Sequence, residues 1–391
     1  MFNLTGSHRF VTPSLIYYGV GCVNSIGEAL QKFGSKALIV SDPCVAQYGH
    51  LDKIANILSK SGLQVATFTE VTGEPTDIMV QKASDVFREE KCDCCVAVGG
   101  GSALDTAKAV AIVVTEGKQI AEFEGYEKAK RRDFPLVLIP TTAGTGSEVT
   151  KVTVITDTER HVKMMISSSC LVPDMAVIDP ELTLTVPPNV TVFTGIDTLT
   201  HAVEAFISRR ATPVTDKYAI EAIRLVAESL RIAWANGDDI EARSKMSLAA
   251  FYGGLAFSNA SVNLVHGMAR PLGALFNLPH GLANAILLPI VMSFSWPAAP
   301  EKFARIAQLL GENVTGLSTL EAAKLAVSAV ENLCRDVEVP KASELGIKAD
   351  RLNQVVRKMA EDALASGSPA NNPRRATIEQ IEKMYLSLLS L

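Results

Sequence analysis

The residues with the clearest potential for chemistry are an acid and a histidine placed four positions apart. Asp197 and His201 lie in Gly195-Ile-Asp-Thr-Leu-Thr-His-Ala-Val-Glu-Ala205, a segment without proline. On a helix, side chains four residues apart lie on the same face. A carboxylate and an imidazole on one face, among apolar neighbours, can supply half of a divalent-metal site.

Two further histidines are candidates for the other half of this site. His266 lies in Leu264-Val-His-Gly267 and His280 in Leu278-Pro-His-Gly281, both largely apolar contexts. A single histidine of this kind is more often a hydrogen-bonded core residue than a ligand. Three of the six histidines in the chain share such contexts, and together with Asp197 they favour a metal site.

A glycine triplet is the first candidate for nucleotide binding. Gly99-Gly-Gly-Ser102 lies between an apolar segment that predicts a strand and a segment that predicts a helix. Glycines let the backbone approach a phosphate, and the start of a helix offers unpaired N–H groups. The triplet lacks the G-x-G-x-x-G pattern and the Gly-Lys-Ser/Thr of a P-loop. A tight turn without a ligand is the alternative, but the strand–turn–helix context favours phosphate binding.

Two other segments follow predicted strands. Asp42 could accept hydrogen bonds from an adenosine ribose, which would favour NAD over NADP because a carboxylate repels a 2′-phosphate. A simple Asx turn before Pro43 explains Asp42 equally well. In Pro140-Thr-Thr-Ala-Gly-Thr-Gly-Ser-Glu148, hydroxyl side chains and glycines form a donor-rich stretch that we interpret as ligand contact.

Composition limits the class of protein. The 391 residues suggest two domains or three, and 48% apolar with 20% charged residues is typical of a globular protein with a large core. A net charge of −5 argues against a nucleic-acid or anionic-membrane partner. We expect neither a secretory signal nor a membrane-spanning helix. Cys92-Asp-Cys-Cys95 runs into a buried strand, so we predict reduced cysteines, no metal site there, and a cytoplasmic location.

The distribution of apolar residues predicts two domains of different class. Residues 1–188 alternate between strands and helices, which indicates a parallel sheet flanked by helices. Residues 189–391 are rich in Ala, Leu and Glu at helical spacing, with capping residues such as Ser318 three positions before Glu321. The predicted strands are 36–40, 64–68, 93–98, 135–140, 152–156 and 175–179; the predicted helices are 51–61, 77–90, 104–115, 216–236, 240–257, 300–310, 319–334 and 377–389. Residues 366–373 are predicted to form a loop.

Taken together, these motifs resemble the iron-dependent (group III) alcohol dehydrogenase family, in order and spacing and over essentially the whole chain. The resemblance implies a Rossmann-like α/β N-terminal domain, an all-helical C-terminal domain and an active site in the cleft between them. The matching segments are Gly99-Gly-Gly-Ser-Ala-Leu-Asp-Thr-Ala-Lys108, Pro140 to Glu148, Gly195 to Ala205, His266-Gly-Met-Ala269 and Pro279-His-Gly-Leu-Ala-Asn-Ala285.

The resemblance also implies a function and a set of site residues. The metal is Fe²⁺, or Zn²⁺ in some members, and it acts as a Lewis acid while hydride passes between an alcohol carbon and C4 of the nicotinamide. Homodimers or larger homo-oligomers are implied as well. The implied metal ligands are Asp197, His201, His266 and His280. The implied NAD contacts are Asp42, Gly99, Gly100, Gly101, Ser102, Asp105, Thr141, Thr142, Thr145, Ser147 and Lys163.

One position departs from the family pattern. Many members carry a histidine, often considered a proton relay, four residues after the third metal ligand, and this chain has Arg270 there. A guanidinium stays protonated and has no acceptor, so it cannot be a general base. We hypothesise that Arg270 binds a substrate carboxylate, which would favour hydroxy acids or semialdehydes of the 4-hydroxybutyrate type. A salt bridge to an acid near the metal ligands is the alternative.

A second enzyme class shares this architecture. Dehydroquinate synthase is a lyase that uses NAD and a divalent metal within one catalytic cycle. The Asp197 and His201 pair and the segment 141–148 fit the dehydrogenases better. A lyase acting on a polyanionic substrate should also have more Lys and Arg around the metal segments. We therefore expect an NAD(H)-linked alcohol dehydrogenase acting on small-molecule alcohols and aldehydes.

Overall fold

The computed structural model describes residues 7–32 and 34–390. The chain divides into two compact units, one formed by Phe10–Val186 and the other beginning at Pro187. The first unit is α/β. Its strands are β1 (Leu15–Tyr18), β2 (Lys36–Ser41), β3 (Gln64–Phe68), β4 (Cys94–Gly99), β5 (Gly125–Tyr126), β6 (Leu136–Pro140), β7 (Val152–Asp157), β8 (Val162–Ser167) and β9 (Met175–Ile178). Its helices are α1 (Ile26–Leu30), α2 (Pro43–Gln47), α3 (His50–Lys60), α4 (Asp77–Glu89) and α5 (Gly101–Glu116).

Six of the strands form one parallel sheet in the order β1-β9-β6-β4-β2-β3. Alternate residues of its central strands enter two separate apolar clusters. Leu38 and Ala97 lie in one cluster, whereas Ile39 and Val96 lie in the other. Because each face is covered, these strands read as continuous apolar runs, as is usual for parallel sheets. The predicted parallel sheet is confirmed.

The cysteines of β4 are part of this core. Cys94 and Cys95 are fully buried and, like Cys92, form no disulfide. Burial raises the pKa of the Cys94 thiol to about 12, so the thiol stays protonated and unreactive. The prediction that these cysteines lie on a buried strand is confirmed for Cys94 and Cys95.

The strand predicted at 152–156 exists, but it does not belong to the parallel sheet. β7 pairs with β8 in antiparallel register, and β8 pairs with β5 to complete a separate three-stranded sheet. Only four residues, 158–161, connect β7 to β8. So short a connection permits a hairpin, whereas a parallel pair needs a crossover of a dozen residues or more. The strand predicted at 152–156 is therefore confirmed, its pairing was not predicted, and β8 was missed.

The second unit is helical throughout its described residues. Its α-helices are α6 (Pro188–Ile207), α7 (Pro213–Ala235), α8 (Ile240–Asn259), α9 (Leu264–Phe276), α10 (His280–Ser295), α11 (Pro300–Leu309), α12 (Thr319–Asp336), α13 (Ala349–Ala365) and α14 (Ile378–Leu386). The capping box predicted from Ser318 and Glu321 begins α12. Helix α13 was not predicted, and the predicted loop at 366–373 contains the 3₁₀ turn Ser368–Asn371.

One helical segment has the length and composition of a membrane span. It is His280–Ala298, with a mean hydropathy of 1.4. Within the protein 56% of this segment is buried, and core helices of globular domains pass the same test of length and composition. The bent pair formed by α8 and α9 also passes the same test of composition when it is taken as one broken span.

Candidate metal centre and dinucleotide-binding turn

Helix α6 supplies two of the predicted ligands. Every residue from Gly195 to Ile207 on this helix is buried, so its polar side chains must find partners inside the unit. Asp197 and His201 are 2% and 4% exposed and lie one helical turn apart. The prediction that they share a helix face is confirmed by the distance of 3.9 Å between His201 Nε2 and Asp197 Oδ1.

The other two predicted ligands lie on separate helices that approach closely. His266 is in the first turn of α9, and His280 is the first residue of α10. The glycine after each histidine allows close packing there, and Gly281 does so between α10 and α6. A Cβ on Gly281 would lie 2.3 Å from the backbone oxygen of Phe193 on α6, and one on Gly267 would lie 2.6 Å from a ring carbon of Pro369.

The four predicted ligands converge on one point. One ligand atom from each of Asp197, His201, His266 and His280 lies within 4.8 Å of the others. Asp197 Oδ1 is 3.7 Å from His266 Nε2 and 3.8 Å from His280 Nε2. Tetrahedral coordination with bonds of about 2.1 Å separates ligand atoms by about 3.4 Å. The spacing therefore suits a single first-row divalent cation.

The electrostatics of the cluster also suit a cation. Burial and the neighbouring imidazoles of His201 and His280 hold the pKa of His266 well below its usual range, so this imidazole is neutral. Burial alone would raise the pKa of Asp197, but the three imidazoles outweigh it and lower that pKa. One carboxylate and three imidazoles form a donor set that both Fe²⁺ and Zn²⁺ accept.

An amide that sequence reasoning missed lies among the ligand atoms. Asn284 Nδ2 donates to Asp197 Oδ1 at 2.7 Å and lies 3.2 Å from both His266 Nε2 and His280 Nε2. The positive end of this amide dipole thus lies beside three of the four converging ligand atoms, which together attract positive charge. Asn284 follows His280 by four residues on α10, and this spacing was the available signal.

A second missed residue is an acid behind the ligands. Glu204 is 1% exposed, and its two carboxylate oxygens contact the backbone N–H of Val265 and Nδ1 of His266. Burial raises the pKa of Glu204 to about 7, although hydrogen bonds from Asn263 and Val265 lower it. Glu204 lies in the quoted motif three residues after His201, so its helix face could have been read from the sequence.

Arg270 lies one turn after His266 on α9 and is partly buried. Its Nη1 donates to Ser368 Oγ at 3.1 Å. Burial, His201 and His280 lower the pKa of His266 most, and the positive charge of Arg270 adds a smaller effect in the same direction, whereas Asp197 opposes them. Arg270 is therefore within electrostatic range of the metal ligands.

The predicted phosphate-binding turn lies at the carboxyl end of β4. Neighbouring strands β2 and β6 end at the same edge of the sheet, where ligands of open α/β sheets bind. Helix α5 begins at Gly101, and no side chain caps its N-terminus. A Cβ on Gly101 would lie 2.7 Å from Thr145 Cγ2, and one on Gly100 would lie 3.7 Å from Thr142 Cγ2. The backbone of the glycine turn thus lies close to the loop that carries Thr142 and Thr145.

Two other predicted cofactor residues join this turn. Asp42 Oδ1 accepts the backbone N–H of Val45 and caps α2, as the Asx-turn alternative requires. Its Oδ2 would lie 3.0 Å from a Cβ placed on Gly99, so the carboxylate is next to the glycine turn. The backbone N–H of Thr141 donates to Gly99 O at 2.9 Å. The structure therefore brings together Asp42, Gly99, Gly100, Gly101, Thr141, Thr142 and Thr145, with Ser102 in the first turn of α5.

Asp105 and Ser147 are hydrogen-bonded to each other and to neighbouring groups of the protein. Asp105 Oδ1 accepts the Ser147 hydroxyl at 2.6 Å, and Oδ2 accepts the Val154 N–H at 2.8 Å. The fully buried Lys108, which sequence reasoning missed, donates to Ser147 Oγ at 2.9 Å. We interpret these residues as the support of the loop that carries Thr141 to Thr145.

The remaining predicted cofactor residue, Lys163, lies on β8 of the three-stranded sheet. Its ammonium pairs with Glu74 at 3.2 Å. Among the described residues, no contact links Lys163 to the glycine turn. Its place in the site remains a prediction.

Comparison with known proteins agrees with both halves of the chain. Residues 13–180 match the family model for iron-containing alcohol dehydrogenase, and residues 191–389 match that for the C-terminal part of the Fe-containing alcohol dehydrogenase family. The NAD-dependent methanol dehydrogenase of Bacillus methanolicus is 40% identical over 97% of this chain and all of its own length. The 1,3-propanediol dehydrogenase of Klebsiella pneumoniae is 42% identical over 96% of this chain and 97% of its own.

A solved structure shows the same architecture. The crystal structure of a 1,3-propanediol oxidoreductase superimposes with a TM-score of 0.95 at 41% identity, covering 98% of this chain and all of that one. Family, fold and the cluster of one aspartate and three histidines agree. The chain belongs to the iron-containing alcohol dehydrogenase family and is an iron- and NAD-dependent oxidoreductase that interconverts alcohols and carbonyl compounds.

Proposed function

We propose that the Fe²⁺ of this enzyme is held by Asp197, His201, His266 and His280. The observation that carries the proposal is the convergence of four ligand atoms within 4.8 Å in the interior of the helical unit. In this division of labour, residues 1–188 bind the dinucleotide and residues 189–391 hold the metal. Zn²⁺ fits the same donor set, so the loading of the protein decides which ion acts.

Each part of the chain has a distinct task in the reaction. Bound Fe²⁺ supplies Lewis-acid chemistry, which lowers the pKa of an alcohol or polarises a carbonyl. The ligand set contributes one negative charge from Asp197 and three neutral imidazoles, so it leaves a divalent ion with a net positive charge toward substrate. A dinucleotide held by the first unit would supply C4 of its nicotinamide as the hydride donor or acceptor. The proton goes to water or a cofactor hydroxyl, because Arg270 has no acceptor atom.

The dinucleotide is proposed to bind at the glycine turn of the first unit. Gly99 to Ser102 and the start of α5 would receive the pyrophosphate, Asp42 the adenosine ribose, and Thr141, Thr142 and Thr145 the remainder of the cofactor. Lys163 is retained as a contact. Asp105 and Ser147 act from behind by fixing the loop. The carboxylate of Asp42 favours NAD over NADP.

We infer that the substrates are short primary alcohols, diols and the corresponding aldehydes. Support comes from relatives named for methanol and 1,3-propanediol. The position of Arg270 near the metal ligands supports a second candidate, a hydroxy acid or semialdehyde of the 4-hydroxybutyrate type. A carboxylate clamp predicts that Arg270→Ala lowers kcat/KM for 4-hydroxybutyrate far more than for n-butanol. Equal losses for the two substrates would eliminate the clamp.

We propose that the enzyme is located in a reducing compartment, the cytoplasm. We also propose that it is at least a homodimer. Buried thiols without disulfides support the first proposal, since such cysteines persist where thiols are kept reduced. Light scattering of the metal-loaded protein tests the second. A mass of 41.8 kDa, that of one chain, would contradict it.

The proposed ligand set is tested by NADH oxidation under anaerobic conditions, with aldehydes of differing length and charge. We expect Fe²⁺-reconstituted wild type to turn over short aldehydes and His266→Ala to lose at least a hundredfold in kcat/KM. Asp216→Asn, which changes a buried acid that bonds Lys302 instead of the ligands, is the control for folding. Wild-type activity in the reconstituted His266→Ala protein would refute the ligand assignment.

A further inference from the structure

We propose that Glu204 is a positioning residue for the metal: its carboxylate holds His266 in the one tautomer and orientation that present Nε2 to Fe²⁺. The inference rests on the proposed function, because it acts through His266 as a ligand. Glu204 does not belong to the predicted ligand set. It lies on the opposite side of the His266 ring from the converging ligand atoms.

The two ring nitrogens of His266 have different neighbours. His266 Nδ1 lies 2.6 Å from Glu204 Oε2, whereas Nε2 lies 3.7 Å from Asp197 Oδ1. In the proposed arrangement Nδ1 donates the ring proton to Glu204 Oε2, and Nε2 then presents its lone pair on the side of the converging ligand atoms. Carboxylate–histidine–metal arrangements of this kind fix the ring and increase the basicity of the ligating nitrogen.

The same carboxylate fixes the backbone that carries the imidazole. Glu204 Oε1 accepts the N–H of Val265 at 2.7 Å, in the first turn of α9. The side chain of Asn263, the N-cap residue, does not cap the helix and instead donates to Glu204 O. Glu204 therefore replaces the usual cap, and its negative charge is favourable at a helix N-terminus.

These contacts join two helices that both supply ligands. Helix α6 carries Asp197, His201 and Glu204, and α9 carries His266. Both oxygens of one buried carboxylate are used, one for the backbone of α9 and one for its histidine. A glutamine at this position has the same size but only one acceptor oxygen. Its NH₂ group would oppose the Val265 N–H or would donate to Nδ1, which forces the proton onto Nε2 and blocks the metal.

The test compares Zn²⁺ affinity, measured by competition with a chromogenic chelator, in wild type, Glu204→Gln, His266→Ala and the double variant. Zn²⁺ is used because it does not oxidise. We expect Glu204→Gln to weaken binding by about 10–100-fold, the usual effect of removing such a partner. In the His266→Ala background the same substitution should change affinity by less than about twofold, because Glu204 acts through that ring.

Two controls separate positioning from a general loss of structure. Asp216→Asn also converts a buried acid of this unit to an amide, and we expect it to keep wild-type Zn²⁺ affinity. Nitrogen-15 spectra of the histidine rings in the Zn²⁺-loaded protein should show an Nδ1–H for His266 in wild type that is lost in Glu204→Gln. Should Glu204→Gln fail to fold, Glu204→Asp replaces it, with a retracted carboxylate and an expected loss of about fivefold or more.

The outcomes distinguish this inference from the proposed function. If wild type and His266→Ala bind Zn²⁺ equally well, the ligand assignment itself is wrong. If His266→Ala weakens binding but the folded Glu204 variant matches wild type, the ligands stand and the role of Glu204 is refuted. An equal loss from Glu204→Gln in both backgrounds would also refute it, because the effect would not pass through His266.

Discussion

At the scale of single residues, the dinucleotide-binding unit buries two titratable groups of opposite type, a lysine and a glutamate. Lys108 and Glu148 are both buried, and neither reaches solvent. Burial lowers the pKa of Lys108 to about 8 and raises that of Glu148 to about 7. Hydrogen bonds from Lys108 Nζ to Ser147, Thr150 and Val152, each 2.9 Å long, compensate for its desolvation.

The raised pKa of Glu148 predicts a pH-dependent stability. The folded state holds a proton on Glu148 up to about pH 7, whereas the unfolded chain releases it near the ordinary value of 4.5. The stability that this carboxyl contributes is therefore complete below pH 4.5 and lost as pH rises through 7, a change of about 3 kcal/mol at most. Glu148→Gln does not titrate, so its Tm should rise relative to wild type between pH 5 and pH 8.

Calorimetry of the metal-free full chain at pH 5, 6, 7 and 8 measures this difference. Glu159→Gln, which changes an exposed carboxylate of the same unit, is the control and should give a flat difference. A Glu148→Gln difference that stays constant, or that decreases with pH, would show that the carboxyl is ionised throughout.

Residue types and spacing were enough to predict all four residues of the metal cluster, because Asp197, His201, His266 and His280 are local signals. Glu204, Asn284 and Lys108 were missed because their partners lie on other elements. Asp105 was predicted as a cofactor contact from its family motif, and packing adds two partners that the motif did not indicate, Ser147 and Val154. A motif indicates that a residue is needed, and only packing shows what it touches.

At the scale of elements, glycines set how closely the ligand-bearing helices approach. Gly281 permits the start of α10 to lie against the backbone of α6, since a Cβ there would be 2.8 Å from Phe193 C. Gly253 on α8 faces the same cluster with ordinary room, because its nearest neighbour, Thr198 O, would be 3.5 Å away. Only the first of these two helical glycines is required by packing.

We therefore expect Gly281→Ala to lower the free energy of unfolding, and Gly253→Ala to leave it unchanged or raise it. Gly281→Ala must displace α10 and His280, which should cost about 1–3 kcal/mol and weaken Fe²⁺ binding. Gly253→Ala should be neutral or stabilising by up to about 1 kcal/mol, because alanine favours a helix. Thermal unfolding and chelator competition measure both effects. Equal behaviour of the two variants would show that helix approach does not position His280.

The glycine turn offers a second matched pair. A Cβ at Gly101 would clash with Thr145 within the protein, whereas one at Gly100 would meet Thr142 at an ordinary distance. Gly101→Ala should lower both Tm and NADH affinity. Gly100→Ala should keep Tm and weaken NADH binding at least tenfold, because its methyl group would occupy the space of the phosphate. Fluorescence titration with NADH tests this, and unchanged affinity in Gly100→Ala would place the phosphate elsewhere.

Strand and helix positions followed well from apolar periodicity, but pairing did not. Five predicted strands joined the parallel sheet, and β7 instead formed a hairpin with β8. Val162-Lys-Met-Met-Ile-Ser167 alternates polar and apolar residues too weakly to distinguish a strand from a loop. Pairing direction is set by the length of the connection and by neighbours distant in sequence, which a local pattern does not contain.

At the scale of the whole molecule, the metal and the dinucleotide are assigned to different units. All four proposed metal ligands belong to the unit that begins at Pro187, and all proposed dinucleotide contacts belong to Phe10–Val186. The family match covers both units, and relatives about 40% identical extend over nearly the whole chain. The substrate, in contrast, could not be predicted, because no motif in the sequence marks the residues that contact it.

The central claim is that one Fe²⁺ is held by Asp197, His201, His266 and His280. Anomalous diffraction at the iron edge, from crystals of protein reconstituted anaerobically with Fe²⁺, tests this most directly. We predict one peak per chain, about 2.0–2.2 Å from the Asp197 carboxylate and from Nε2 of each histidine. A peak elsewhere in the chain, or one that any of these four residues fails to contact, would contradict the assignment.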